Sequence, residues 1–389
     1  MIKRKQIRIG IDARFYGPKQ KGLGRYVQKL VENLEKVDIR AIRWPNAFGH
    51  RIAEYRFIIF LRRENWNEYQ PSNSNFKKVL ADYPWYSLQE QFFMPFKIRQ
   101  QKVDLMHFPH FNVPIFYNQP FVITIHDLIL KKFPTRRAST LGPIRYWLKN
   151  LAYDSVIKSA IKRAKKIIAI SKYTKEDILK YFDVESDKIK VIYEGSPKPN
   201  IRAIRRLNVF GHRMAEYSPY LLYVGNAYPH KNLERLISAF KGLVKEKKNL
   251  KLVLVGELDY FYQRLQKISP AQVVFTDFVS DQELVKLYQN ASLYVFPSLC
   301  EGFGLPPLEA MTYNLPVVCS KNSCLPEILG QAAIYFDPEN TDDMVDKIKK
   351  VLDNKKLQKK LIFQGKETIK KYSWHKMAKE TLEVYKSNL

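Results

Sequence analysis

Short apolar runs alternate with amphipathic stretches along almost the whole chain. Residues 6–11 (Gln-Ile-Arg-Ile-Gly-Ile) predict a buried first strand. A loop over 14–21 leads to Gly22-Leu23-Gly24, and residues 25–35 then place Tyr26, Val27, Leu30, Val31 and Leu34 at helical spacing. Strand, glycine-containing loop and helix together make the start of a doubly wound sheet. Further strands are predicted at 55–61, 106–108, 121–125, 165–170 and 188–193, with a basic helix over 146–164. A helix over 175–182 is predicted with Thr174 as its cap and Asp177 completing a capping box. The pattern restarts with strands at 220–224, 250–255, 273–275, 293–296, 316–319 and 333–336. Helices are predicted between them at 233–245, 281–289 and 307–313, and the charged tail 341–389 reads as two or three more. Such alternation in both halves predicts two α/β domains, each with a mainly parallel sheet, divided near 195–218.

One feature is not fold logic. Residues 39–55 recur at 201–217, with 13 of 17 positions identical. A single pair is no solenoid period, and each copy precedes a predicted strand. We read it as a duplicated element inserted into two surface connections, which makes its His50 and His212 poor catalytic candidates.

At 389 residues the chain can build two cores. No apolar run approaches the ~18 residues that span a bilayer, and the apolar stretch 7–11 is too short for a signal-peptide core. Cys300, Cys319 and Cys324 lack metal-ligand spacing, and their odd count fits a reducing cytosol. The net charge of +28 is unevenly placed: 42 Lys and Arg against 19 Asp and Glu in residues 1–217, but 24 against 19 in 218–389. Either the first half faces an anionic partner or the chain comes from a lysine-rich proteome. Nucleic acid is not the expected partner, because no aromatic RNA-binding signature, zinc pattern or dense basic tract is present.

The chemistry centres on Ser298-Leu-Cys-Glu-Gly-Phe-Gly-Leu-Pro-Pro-Leu-Glu-Ala-Met-Thr312. The run at 293–296 delivers the chain to a loop, where Gly302 and Gly304 let backbone approach a ligand. Pro306 and Pro307 suit the first turn of a helix. Glu301 then lies on a loop at a strand end and Glu309 about one turn into the helix. The helix start between them favours an anion such as phosphate. Two carboxylates bracketing an anion cradle suit a ligand with both hydroxyls and phosphate, as a sugar nucleotide has.

Tyr223-Val224-Gly225-Asn226, Pro229-His230-Lys231-Asn232-Leu233 and Glu301-Gly-Phe-Gly-Leu-Pro-Pro-Leu-Glu309 resemble motifs of the retaining glycosyltransferases of family 4, which have the GT-B fold. The first half agrees in order, with Gly10-Ile-Asp-Ala-Arg14, Gly22-Leu-Gly-Arg-Tyr26, Ile125-His-Asp-Leu128 with Phe133-Pro134, and Ile168-Ala-Ile-Ser171. The resemblance covers nearly the whole chain, and the paired glutamates are its specific part. It implies two Rossmann-like α/β domains with parallel sheets facing across a cleft. An acceptor-side domain, 1–196, would carry a C-terminal helix at 372–389 packed back on it. A linker at 197–217 holds one repeat copy, and 218–371 form the nucleotide-sugar-binding domain.

The implied reaction moves a hexosyl group, mannose favoured, from a nucleotide-sugar donor to a glycan or polyprenyl-diphosphate-linked acceptor. Lys231, before a predicted helix, would place its ammonium and the helix N-terminus toward the diphosphate. Glu301 would hold sugar hydroxyls where positive charge develops, Glu309 the ribose hydroxyls, and His126 the donor sugar near the reaction centre. Gly24, Asn226, His230, Gly302, Phe303, Gly304 and Leu305 complete the expected donor-binding set. Each has a plainer reading: an exposed lysine, a capping carboxylate, a structural histidine, glycines that allow close packing. Asn226 and His230 stand where the family often has arginine. A protonated His230 would restore that charge and make activity fall as pH rises through its pKa. Asp127 is expected to orient its loop, and His107 and His110 to line the acceptor side. No Asp-x-Asp occurs, so neither metal nor cofactor is expected, and front-face transfer is the default without a covalent nucleophile. The alternative is a relative acting as epimerase or phosphorylase, recognised by nucleotide release without sugar transfer. The basic first half fits a cytoplasmic protein, peripheral on an anionic inner membrane face. Phe133, Tyr146 and Trp147 within 131–149 are read either as touching that membrane or as an ordinary basic helix.

Overall fold

The computed structural model describes residues 6–37, 54–133, 143–197 and 217–389. The two repeat copies lie almost wholly outside the described residues, as do the side chains of 134–152, Tyr146 and Trp147 among them. The chain divides into two compact units. The first comprises Met1–Leu128, Leu141–Gly195 and Ser373–Leu389; the second comprises Ile129–Thr140 and Ser196–Tyr372.

The sheet of the first unit contains β1 (Gln6–Asp12), β2 (Glu54–Leu61), β3 (Phe76–Leu80), β4 (Leu105–Phe108), β5 (Phe121–Ile125), β6 (Lys166–Ala169) and β7 (Ile189–Val191). They run parallel in the order β3-β2-β1-β4-β5-β6-β7. Ile9 lies opposite Phe57 on one side and Leu105 on the other, and all three are buried. The strands are nearly continuous apolar runs because the sheet is buried on both faces. The helix Trp374–Lys386 belongs to this unit and packs on the helix Lys21–Leu34.

The second unit holds β8 (Tyr220–Val224), β9 (Lys251–Val255), β10 (Val273–Phe275), β11 (Leu293–Phe296), β12 (Val317–Ser320) and β13 (Ala333–Phe336). Their order is β10-β9-β8-β11-β12-β13, again all parallel. In each sheet the strand order reverses beside its first strand, β1 or β8. The loops leaving β1 and β4 therefore flank one crevice within the first unit, and those leaving β8 and β11 flank one within the second.

Several local expectations change. The helix expected from 175 spans Lys172–Tyr181 and is capped by Ser171, not Thr174. Ser171 is extended, at φ −151°, so its Oγ reaches forward to accept the Thr174 N–H at 3.0 Å. Thr174 then lies inside the first turn and its hydroxyl donates to the His126 carbonyl. Asp177 is too far along to close a capping box. The helix expected from 307 spans Leu305–Thr312, with Gly304 as N-cap at φ 91°. Elements that went unpredicted include the edge strand β3, the helix Leu88–Gln100, which carries Pro95 inside it, and the helix Tyr260–Ile268.

That helix is tied to the crevice of the first sheet by a buried ion cluster. Arg14 is fully buried and donates to Asp12 at 2.7 Å and to Glu90 at 2.6 Å. Glu90 also accepts from Asn112 Nδ2 at 2.9 Å and from the Tyr86 N–H at 2.7 Å. Burial opposes the charge on Arg14, but Asp12 and Glu90 outweigh it and push its pKa above the ordinary value. We predict that Arg14→Met lowers stability to urea by about 3–5 kcal/mol, because two carboxylates stay buried without their cation. A loss under about 1 kcal/mol would mean that the carboxylates find other partners or water.

Candidate active site

At the switch point of the second sheet, the loop leaving β8 carries Asn226, His230 and Lys231, and the loop leaving β11 carries Glu301. The two loops meet. The Lys231 ammonium donates to Glu301 Oε1 at 2.6 Å, with both side chains largely buried. Lys231 also lies over the Phe296 ring, 5.7 Å from its centroid. Three contacts hold this pairing. The Leu299 N–H donates to the His230 carbonyl at 2.8 Å. Asn232, buried and left-handed at φ 62°, donates through Nδ2 to the carbonyls of Pro297 and Pro338. The Glu301 N–H donates to Ser323 Oγ at 3.1 Å.

Gly304 turns the chain from this loop into the helix Leu305–Thr312, and a Cβ there would stand 2.8 Å from Leu325 Cδ2. Gly302 and Phe303 are buried, with Phe303 edge-on to Tyr372, while Leu305 and Glu309 are half-buried. Burial raises the Tyr294 phenol well above its ordinary pKa, and Glu309 and Glu301 both add to that rise. The two glutamates therefore act on one side chain from the same region. Tyr294 in turn meets the backbone of Val224 at the end of β8.

The expectation of a charged His230 is overturned. Burial, and then the adjacent Lys231, lower its pKa to about 4, against a smaller opposing effect of Glu301. The imidazole is neutral at physiological pH and supplies no replacement cation. It lines a cavity of about 590 Å³ together with Tyr228, Phe261 and two arginines, Arg235 and Arg264. No motif pointed to these arginines: Arg264 lies on the helix after β9, far from any glycine loop in sequence. Asn226 is half-buried, its carbonyl accepting from the Tyr223 hydroxyl at 2.8 Å.

In the first unit His126 leaves β5. Its Nε2 lies 3.0 Å from the Pro109 carbonyl, to which it can donate, and its Nδ1 lies 3.3 Å from Glu194 Oε1. The Tyr26 ring meets it edge-on. Glu194, itself buried, was not foreseen; an isolated glutamate at the end of a half carries no pattern. Gly24 sits on the helix Lys21–Leu34, where a Cβ would stand 2.0 Å from the Gly17 carbonyl oxygen, so it allows loop and helix to close. His107 does not line an open surface. It is fully buried between Tyr385 Oη, 2.6 Å from Nδ1, and Thr124 Oγ1, 2.9 Å from Nε2. His110 packs at a tilt against Phe111, at 3.9 Å between ring centres. Among the described residues no group of three or more His, Cys, Asp or Glu is placed to hold a metal ion. Nor is any described helix long and apolar enough to cross a membrane.

Residues 21–196 match the family described as Glycosyltransferase Family 4, and residues 205–368 the family described as Glycosyl transferases group 1. An uncharacterized glycosyltransferase of Methanocaldococcus jannaschii is 33% identical over 299 residues, covering 72% of this chain and 73% of that protein. The O-antigen chain mannosyltransferase B of Escherichia coli is 29% identical over 298 residues, covering 74% and 76%. In fold, the chain is similar to a sucrose-phosphate synthase from Thermosynechococcus elongatus, with a TM-score of 0.73 at 18% identity and 99% coverage of both chains.

The neutrality of His230 can be tested directly. We predict that its imidazole resonances stay those of the neutral ring from pH 8 to pH 5, whereas a ring titrating near pH 6.5 would contradict the buried geometry. Because its folded pKa lies below the unfolded value of 6.5, the unfolded chain binds the extra proton first. Stability conferred by this site is therefore present above about pH 6.5 and is lost as pH falls toward about 4, at no more than ~1.4 kcal/mol per unit.

Proposed function

Since the chain belongs to glycosyltransferase family 4 and has the GT-B fold, we propose that it transfers a hexosyl group, mannose foremost, from a nucleotide-sugar donor to a glycan or lipid-linked glycan, with retention and without a required divalent ion. The observation that carries this reading is the Lys231–Glu301 pair at the switch point of the second sheet. The likeness to an O-antigen mannosyltransferase supports mannose as the sugar and surface polysaccharide as the setting.

In the proposed step the anomeric carbon–oxygen bond breaks and its electron pair leaves with the diphosphate. The Lys231 ammonium and the N–H groups at the start of Leu305–Thr312 stabilise that charge. Arg235 and Arg264, on the adjacent cavity wall, supply guanidinium groups where Asn226 and His230 supply none. Glu301 holds the sugar hydroxyls, and its carboxylate offsets positive charge building at the anomeric carbon. Glu309 takes the ribose hydroxyls. His126, oriented by Glu194 and Pro109, contacts the donor sugar. The acceptor oxygen bonds on the face that the leaving group vacates, and its proton passes to the departing phosphate oxygen.

Two sets of outcomes follow. Lys231→Ala and Glu301→Gln each lower kcat about 10²–10³-fold, as loss of one transition-state contact does, while Glu309→Gln mainly raises donor KM. Arg264→Ala raises donor KM with kcat held. In a thermal-shift panel GDP-mannose raises Tm more than UDP-glucose, UDP-GlcNAc or dTDP-rhamnose, and transfer persists in EDTA. A larger shift with another nucleotide sugar would displace mannose, and activity lost in EDTA but restored by Mn²⁺ would remove metal independence.

A further inference from the structure

The helix Leu88–Gln100 shows water a face dominated by bulky apolar side chains, with Gln89, Arg99 and Gln100 as its exposed polar residues. Its inner side buries Glu90, Met94 and Ile98. On its outer side Leu88, Phe92 and Phe96 recur every four residues, which aligns them along one stripe. They are 58–77% exposed, and Phe93 beside them is 52% exposed. The loop after β4 extends the patch with Ile115 and Phe116, also exposed. The patch is built firmly: the Phe92 and Phe116 rings stack with centroids 5.0 Å apart, and the Ile115 N–H donates to Gln91 Oε1 at 2.7 Å. Bulky apolar side chains gathered this densely mark an interaction surface.

We propose that this face docks the protein on an anionic lipid bilayer, with the phenylalanine rings seated in the interfacial layer and the flanking cations among the headgroups. Charge identifies the occupant. Lys97, Arg99 and Lys102 flank the patch in sequence, while the one acid within residues 83–102, Glu90, is buried against Arg14. The exposed acids just outside, Asp82 and Asp104, accept from the Arg63 and Arg8 N–H groups. Residues 109–120 carry no charged side chain. No exposed carboxylate on these segments therefore repels an anionic surface, and each cation there gains from it. A second copy of the chain is the poorer occupant, since a two-fold contact brings the same three cations against themselves. Aromatic side chains and cations on one helix face are the composition of a helix that lies in the membrane plane.

Docking requires neither donor nor acceptor, so its test is separate from that of the proposed reaction. The full chain is sedimented with vesicles of phosphatidylethanolamine and phosphatidylglycerol, and with vesicles of phosphatidylcholine alone. We expect binding to the anionic vesicles that weakens with added salt, and much less to the neutral ones. The double variant Phe92→Ser/Phe96→Ser should weaken that binding about tenfold or more, with Tm lowered only slightly by loss of the Phe92–Phe116 stack, because both rings are largely exposed. As a second readout, Phe92→Trp should shift its fluorescence to the blue on adding anionic vesicles. Wild-type protein left in the supernatant with both compositions would overturn the proposal, and so would a double variant that binds like wild type. A concentration-dependent dimer that the double variant abolishes, without vesicle binding, would assign the patch to a second copy.

Discussion

The second unit is organised around an ammonium and a carboxylate held 2.6 Å apart, with a sequence separation of 70 residues. Neither loop can supply this pair alone. It exists because β8 and β11 are neighbours in the sheet, so that the loops leaving them converge at the point where strand order reverses. A largely buried ion pair is costly to separate, because removing either partner leaves the other without compensation. Asn232 and the Leu299 to His230 hydrogen bond spread that constraint over the backbone. The proposed chemistry needs the same tension. In that proposal an arriving diphosphate would compete with Glu301 for Lys231, and the carboxylate freed from part of that contact would turn to sugar hydroxyls.

Much of this site was legible from the chain because its parts are dictated locally. A buried parallel strand has to be an apolar run, and Leu293–Phe296 is one. A left-handed turn into a helix favours glycine, which Gly304 supplies, and prolines suit the first turn behind it. What was not legible depended on neighbours distant in sequence. Nothing in Pro229-His230-Lys231 reveals that the histidine is buried beside a cation and therefore neutral. Arg264 reaches the cavity wall from another helix, and Glu194 meets His126 across 68 residues. The edge strand β3 was missed for a different reason. Phe-Lys-Lys-Val-Leu at a sheet edge lacks the continuous apolar run of a central strand.

The histidines of the first unit divide by environment in a way that residue type alone does not foretell. His107 lies within β4, and His126 follows the end of the neighbouring strand β5. His107 is enclosed between Thr124 and the Tyr385 hydroxyl of the C-terminal helix, and burial lowers its pKa to about 3. It is a neutral hydrogen-bonding joint that ties the last helix to the sheet. His126 lies beyond the end of its strand, part exposed, with a carboxylate behind it. Of the two, only His126 is open to solvent while keeping a carboxylate partner for its ring.

The helix Leu88–Gln100 connects the molecule's surface to its chemistry. It escaped sequence reading because its outward positions are as apolar as its inward ones, which erases the amphipathic period, and because Pro95 interrupts it. The inward side explains why such a helix is kept in place. Glu90 accepts from Arg14 on the loop leaving β1 and from Asn112 on the loop leaving β4, the two loops that flank the crevice of the first sheet. The buried ion cluster therefore fixes the apolar outer face relative to that crevice, with little freedom between them. The surface proposed to dock on lipid and the crevice of the first sheet are thus tied together through one buried cluster. On that geometry, docking would present the crevice at a constant height and tilt to whatever the bilayer displays, which a flexible tether of the same affinity could not do.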